Sequence, residues 1–238
     1  MEPILLTPRL RLTLITHAER GSEELQWLHE LRSDQQAMAW SIHPPSKTLE
    51  DTEKFIGAYV PNIPGLAASK PPSAPPAPGA QPAGHAYKLA YAVHSTSADS
   101  TPRLIGLVSL ASLSGYFLPL PSHLVIAPDL EPTTLVTELA YSFLPASWGK
   151  GYATEALTAV LDACLSPSSD AFWAPWERVW MRVIVNRRNA ASLKVMRKLG
   201  VKGVVEKGVY EWKGKSIFIG GEWRTEDDLC IFGRWLRE

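Results

Sequence analysis

Residues 147–157 read SWGKGYATEAL, a lysine between two glycines where strand-like alternation gives way to helical spacing. A helix N-terminus carries partial positive charge, so a lysine there is unfavourable unless an anion sits close by. Gly149 and Gly151 let the backbone approach a ligand and turn several N–H groups towards one point. The first carboxylate able to offset the dipole, Glu155, comes only later. These choices agree if a phosphate or pyrophosphate docks at the loop. The plainer alternative is a glycine-assisted turn with Lys150 in solvent. A second reactive group lies just upstream, in LVTELAYSFL (135–144). Period-two spacing puts Glu138 on one face with Val136, Ala140 and Ser142, opposite Leu139, Tyr141 and Phe143. Partial burial there would raise its pKa and suit it to general-base work. The alternative is a carboxylate paired with a surface arginine.

Two common phosphate motifs fail. The Walker loop needs a glycine five residues before Gly149 and Ser or Thr after the lysine, where this chain has Leu144 and Gly151. The dinucleotide pattern G-x-G-x-x-G ends here on Thr154. Neither an NTPase nor a nicotinamide enzyme is supported.

The elements that must position these residues follow from hydrophobic period. Strands are predicted at 10–16, 87–95, 103–113, 135–144 and 178–185, with two more near 203–212 and 228–236. Helices are predicted over 19–40, 49–59, about 151–165 and 189–200. Thr48 followed by Asp51 resembles a capping box for the second helix. Asn189 and Gly200 read as the caps of the last helix. On the helix after the glycine loop, Ala153, Ala156, Leu157, Val160, Leu161 and Cys164 share one face. Residues 114–134 and 166–177 read as irregular. The segment at about 61–86 is Pro, Ala, Gly and Ser, too poor in apolar surface to offset its ordering entropy, and reads as a disordered insertion. The order is that of one mixed α/β domain over 1–238.

Composition narrows the class. The 238 residues are 45% hydrophobic with a formal net charge of +0, which argues against binding nucleic acid or an anionic membrane through bulk charge. Two cysteines, Cys164 and Cys230, imply neither a disulfide framework nor a zinc site and read as small buried hydrophobes. No stretch reads as a signal peptide or a membrane span, so the expectation is a cytoplasmic protein.

Two blocks then carry a family resemblance. WGKGYATEAL resembles the acyl-CoA pyrophosphate loop of the GNAT N-acetyltransferase superfamily, [QR]-x-x-G-x-[GA], with Gly151 and Ala153 in its last fixed positions. Trp148 stands where Gln or Arg is usual, as in the branch resembling the RimJ/RimL ribosomal-protein N-terminal acetyltransferases. VNRRNAASLKVMRKLGV resembles that branch's N-x-x-N-x-x-S…K-x-G-[FV] segment through Asn186, Asn189, Ser192, Lys198 and Gly200, and TEDDLCIFGRW resembles its closing strand. The resemblance is good over about 135–238 and agrees in element order over 1–60 and 87–113.

It implies the acyl-CoA N-acyltransferase fold: one mixed, mostly antiparallel sheet with a central splayed parallel strand pair, flanked by helices. It implies acetyl-CoA as the acyl donor and an amine, a protein N-terminus or a small molecule, as acceptor. N–H groups around Trp148, Gly149, Lys150, Gly151, Tyr152, Ala153 and Thr154 would hold the pyrophosphate. The pantetheine arm would follow strand 135–144 past Tyr141 and Phe143, with Asn189 touching the arm or ordering a water. Ser192 would lie near the thioester sulfur, sharing the catalytic role with Glu138. Relatives often place a tyrosine on the helix at 189–200 as proton donor; this chain has none there. Trp40 and His43 would wall the acceptor cleft, no metal is expected, and the protein would be a monomer or weak homodimer. Asp227 and Asp228 read as strand-edge gatekeepers, with attraction of a cationic substrate as the alternative. Trp212 and Trp223, in a tail hairpin, read as packing residues, with a cleft wall as the alternative. A catalytically weak acyl-CoA-binding protein and a nucleotide-binding protein are the competing classes.

Overall fold

A computed structural model describes residues 1–60, 87–97, 100–113, 118, 120–121, 124, 134–204 and 208–238. The Pro-rich segment at 61–86 and most of 114–134 lie outside the described residues. The strands are β1 (Ile4–Leu6), β2 (Leu10–Leu14), β3 (Lys88–Ser97), β4 (Ser100–Ser112), β5 (Thr134–Phe143), β6 (Arg178–Asn186), β7 (Lys202–Gly203), β8 (Tyr210–Ile219) and β9 (Glu222–Arg237). They form one sheet in the order β1-β2-β3-β4-β5-β6-β9-β7, with β8 also pairing β9. Every pairing is antiparallel except β5 with β6. That parallel pair runs in register from Thr134 opposite Arg178 to Glu138 opposite Arg182 and stops there, although both strands continue. Beyond Glu138 the two strands diverge into a V. The mixed sheet with a central splayed parallel pair is the expected fold.

The helices are α1 (Glu23–Ser33), α2 (Leu49–Glu53), α3 (Ile56–Tyr59), α4 (Tyr152–Leu165), α5 (Asp170–Trp173) and α6 (Ala190–Lys198). One core packs α4 and α6 against the sheet: Ala156, Leu157, Val160, Leu161, Cys164 and Met196 meet Leu139, Phe143, Met181 and Val183. A second core joins Leu25, Leu28 and Leu31 of α1 to Ala90, Ala92, Leu104 and Leu107. Alternation along β3 and β4 therefore feeds both cores at once. The third is small, joining Trp212, Ile219 and Leu229 to Leu118. Cys164 and Cys230 are free and buried.

Local sequence explains most boundaries. Asn189 Oδ1 accepts the N–H of Ser192 at 3.0 Å, the predicted N-cap of α6. At its other end Gly200 takes φ +66°, Gly200 N–H donates to Arg197 O and Val201 N–H to Met196 O, the paired bonds of a Schellman close. Thr48 Oγ1 caps α2 by accepting from Asp51 N–H, and Asp51 reaches back to Lys47 N–H rather than to the cap itself.

Several element boundaries differ from expectation. The first helix is shorter than 19–40: Ser22 caps it at 3.2 Å from Leu25 N–H, and Asp34 leaves the helix and bonds Ala37 N–H. The segment 49–59 is two short helices, interrupted at Lys54–Phe55, where the Phe55 ring lies 3.7 Å beneath the Arg32 guanidinium. Strand β1 and helix α5 stand where none was expected. The strands of the tail hairpin extend nearer its turn than 203–212 and 228–236, β8 and β9 meeting through Gly220 and Gly221, both at positive φ. Asp227 and Asp228 pair with Trp212 and Glu211 of β8 on one side, while the β6–β9 ladder ends at Leu229, so their other side remains at an edge.

Candidate active site

The glycine loop follows β5 through a single 3-10 turn, Pro145–Ser147. Trp148 Nε1 donates to Phe143 O at 2.6 Å, tying the loop to the end of the strand while its ring is half exposed. Gly149 and Gly151 sit at φ +75° and +82°, a backbone that side chains resist. A Cβ at Gly149 would meet nothing within 4 Å, so conformation, not crowding, demands the glycine. Gly151 is the N-cap of α4 and offers no side chain to cap it. The N–H groups of Tyr152, Ala153 and Thr154 are therefore left over at the positive end of a 14-residue helix. The exposed Lys150 ammonium has no partner among the described residues, so the loop is a concentration of uncompensated positive charge.

Glu155 does not cancel it. Thr7 Oγ1 donates to Glu155 at 2.5 Å, and Arg9 adds Nε at 2.7 Å, Nη2 at 2.5 Å and its own N–H at 3.1 Å. Burial pushes the Glu155 carboxyl up, but the Thr7 and Arg9 hydrogen bonds outweigh it and hold it below the ordinary carboxylate range. Arg9 also donates to Lys150 O at 3.0 Å and lies 4.8 Å over the Tyr152 ring. It braces the loop from just before β2, some 140 residues away in sequence. Nothing in the local pattern of residues 147–157 signals it. A cavity of about 620 Å³ adjoins the loop, with Lys150, Tyr152 and Arg103 in its wall beside Glu30 and Asp34.

The V between β5 and β6 opens next to this loop. Past Glu138, β5 is bonded to β4 on one side only, so its polar edge towards β6 is free. At the end of β6, the buried Asn186 Nδ2 has no acceptor among the described residues. Tyr141, half-buried on β5, meets Ser192 of α6 at 2.5 Å between hydroxyls. Phe143 is otherwise placed: its ring is 7% exposed, packed in the core over Gly106, whose Cβ would stand 2.5 Å from it. Only the Phe143 backbone borders the V. Asn189 commits its oxygen to capping Ser192 N–H. Uncapped N–H groups, left-handed glycines, an unpaired lysine and an open strand edge fit a pyrophosphate followed by an amide-bearing arm.

Glu138 sits at the apex of the V on the face away from α4. It is paired with Arg182, Nε to Oε2 at 2.8 Å, and this arginine is buried rather than at the surface, 2% exposed. Arg182 is anchored again by Leu118 O at 2.9 Å. Burial pushes the Glu138 carboxyl up against the opposing pull of Arg182. Its other oxygen, Oε1, accepts nothing among the described residues. Arg182 was not foreseen, although its register opposite Glu138 on an adjacent strand is the signal that pairs them.

On the same side, Ser142 Oγ donates to Ala37 O at 2.8 Å, which brings the segment after α1 against β5. Trp40, 39% exposed, faces Arg188 at 5.8 Å, and the His43 ring lies 5.1 Å from Phe55. So Trp40 borders this region, while His43 packs towards α2 and α3. Asp227, 5% exposed, is held by Arg188 at 3.2 Å and Arg224 at 3.1 Å. Trp212 is buried, and Trp223 is exposed beside Phe218 next to the hairpin turn. Among the described residues no three or more His, Cys, Asp or Glu cluster to hold a metal ion, and no helix is long and apolar enough to cross a membrane.

Comparisons with known proteins agree with this geometry. A family model described as an acetyltransferase (GNAT) domain matches residues 9–202. No curated protein matches the sequence. Among solved structures, a GNAT-family acetyltransferase from Bacillus anthracis is 20% identical with a TM-score of 0.55, covering 99% of both chains. A spermidine N-acetyltransferase from Vibrio cholerae, in complex with CoA and spermine, is 16% identical with a TM-score of 0.54 over 94% of this chain and 95% of that one. RimL, a ribosomal L7/L12 alpha-N-protein acetyltransferase in complex with CoA, is 13% identical with a TM-score of 0.53 over 97% of each. At these identities the likeness is one of fold.

Proposed function

The chain belongs to the GNAT acetyltransferase family, and we propose that it moves an acetyl group from acetyl-CoA directly to a primary amine. The acceptor is a protein N-terminus or a small amine, and the branch is the one resembling RimJ/RimL. The carrying observation is the unpartnered Lys150 between two left-handed glycines at the uncapped start of α4, directly below the open V. Acetyl-CoA supplies the acyl group as a thioester.

The loop N–H groups and Lys150 bind the pyrophosphate, with Arg9 keeping the loop in shape. The free edge of β5 pairs with the pantetheine amides and offers an N–H to polarise the thioester carbonyl. An ammonium has no lone pair, so the acceptor must lose a proton before it attacks. Glu138 Oε1 takes that proton, directly or through a water, with burial keeping the carboxyl basic. Trp40 and the segment after α1 border the acceptor side. We place the reaction in the cytoplasm, in keeping with two free cysteines.

The second reading, a catalytically weak acyl-CoA-binding protein, is favoured by the Arg182 pairing, which makes Glu138 a poorer base. Thermal shift with acetyl-CoA, CoA, ATP and NAD at equal concentration tests the binding claim. Stabilisation by both CoA species alone supports it, and none by either sinks it. An acceptor screen over peptides and amines then separates the two readings. The enzyme loses about 10²–10⁴-fold in rate on Glu138→Gln; the binding protein has no rate to lose.

A further inference from the structure

We infer that the closed end of the V carries, on the outer side of β9, a docking site for an acidic polypeptide segment in extended form. It is separate from the coenzyme A reading and does not rest on it. The site is a cavity of about 650 Å³ walled by Trp180 of β6, Arg234 and Trp235 of β9, and Lys202 of β7. Arg182, in register with Glu138 at the apex, stands opposite Gly233. From there Arg234 and Trp235 run towards the start of β6, away from the opening between β5 and β6.

Three features meet at this place. The first is an unpaired strand edge. β9 has β6 on one side; on the other it has β8 as far as Leu229 and β7 at Phe232 and Gly233. No strand stands beside Arg234 and Trp235 on that outer side. Val204 N–H donates to Ile231 O at 2.8 Å, and by alternation Trp235 turns its N–H and C=O the same way. The second is an aromatic wall. Trp180 and Trp235 meet edge to face at 4.9 Å, and both are partly exposed. A Cβ at Gly233 would collide with the Trp180 ring, so this glycine lets the ring lie across β9. The third is charge. Lys202 and Arg234 have no ion pair among the described residues, nor have Arg197 and Lys198 in the last turn of α6, which reaches the cavity through Leu199 and Gly200. Among the described residues, Glu238 is the one carboxylate in the wall. In a chain of net charge +0 this is a local excess of cations.

Together these features choose the occupant. A phosphate answers the free N–H of Trp235 but not its C=O, whereas a second backbone answers both, so the partner is a polypeptide rather than a nucleic acid or a lipid. The indoles take its apolar side chains, and the unpaired cations take its carboxylates. A second copy of this chain fits poorly. It would bring the same four cations to the same edge. The shift of register between Val179 and Trp180 also bulges β9 at Leu236, which leaves too short a straight edge to extend one sheet into another.

The test uses the full chain and a labelled, end-capped peptide of alternating glutamate and valine, about eight residues long, within the range of an ordinary strand. Binding is followed by fluorescence anisotropy. The peptide should bind, and more weakly as salt rises. Lys202→Glu and Arg234→Glu should each weaken it about tenfold, with the CoA thermal shift as in wild type. Proline in place of valine keeps the charge but removes backbone donors, and should also cost about tenfold. Equal binding by Lys202→Glu, whose side chain is exposed and does not endanger folding, overturns the inference. So does equal binding of the proline peptide, or no binding of the valine peptide. Competition by a DNA duplex as strong as that of unlabelled peptide would mark a general anion patch and overturn it too. A concentration-dependent dimer in sedimentation that Lys202→Glu alters would give the edge to a second copy instead. The assay contains no coenzyme A, so its outcome stands apart from the reading of the V.

Discussion

The glycine loop and the face of β5 that we propose for the acceptor handle charge in opposite ways. At the loop, Lys150 has no partner, α4 has no cap, and the nearby Glu155 is fully engaged by Thr7 and Arg9. On the acceptor face the carboxylates are matched by arginines: Glu138 by Arg182, Asp227 by Arg188 and Arg224, Asp228 by Arg187. A site whose charge is left uncompensated states the sign of its ligand. A site already neutral states only a shape. This is why the donor can be argued from electrostatics and the acceptor remains a class of amine.

The sharpest way to break the contrast is Arg182→Met. It leaves a buried carboxylate without its cation, and breaking one partner of such a pair costs about 3–5 kcal/mol. Glu138 already has its carboxyl pushed up by burial, with Arg182 opposing. Without the arginine it rises further. A carboxyl with a raised folded pKa contributes stability below its unfolded pKa and loses it as pH rises through the folded one. The variant should therefore lose most stability at neutral pH and recover part of it towards pH 4, as read by urea unfolding. The acid limb of its rate profile should move to higher pH, because the base must be ionised to act. An equal stability loss at every pH would show that Arg182 is packing rather than charge balance.

At the loop the expected effect falls on the ligand, not on the fold. Lys150→Glu should weaken CoA by about 1–3 kcal/mol, the scale of a charge-assisted contact, with little change in unfolding. Unchanged CoA affinity by calorimetry would remove Lys150 from the site. Asn189→Ala comes next. Loss of an N-cap costs about 1 kcal/mol, and here it also loosens Ser192. Its CoA affinity should fall only in proportion to that local fraying, and a larger loss would mean the amide touches the ligand itself.

Sequence made the loop legible because all its parts are contiguous: two glycines, a lysine and a helix start within eleven residues. The strand face of Glu138 was legible from period two, and the caps of α6 from single residues. What escaped were relations across the sheet. Arg182 meets Glu138 only once β5 and β6 are known to run parallel in that register. Arg9 braces the loop across 141 positions. Tyr141 and Ser192 were both named, but only the splay brings their oxygens together. Phe143 was expected beside the arm and instead fills the core, because Gly106 opposite it leaves room for a ring. The strands of the tail hairpin were read too short at the turn, because Lys213, Gly214 and Lys215 blur the alternation, although Gly220–Gly221 between strand-like flanks is a local and readable turn signal.

The smallest effect is expected at Asp228→Asn, and it tests the neutrality of the acceptor face most directly. The pair with Arg187 is long at 3.2 Å, with side chains 43% and 62% exposed. Exposed pairs of this kind are worth about 0.2–1 kcal/mol, and less at physiological salt. Stability and CoA affinity should both stay within that range. Once an acceptor is in hand, its KM should not move either, since Arg187 already answers the carboxylate. A KM that rises in Asp228→Asn, and does so more steeply at low salt, would mean that the acceptor's own cation displaces Arg187. The acceptor face would then hold an available negative charge after all, and a polycationic amine would become the substrate class to pursue.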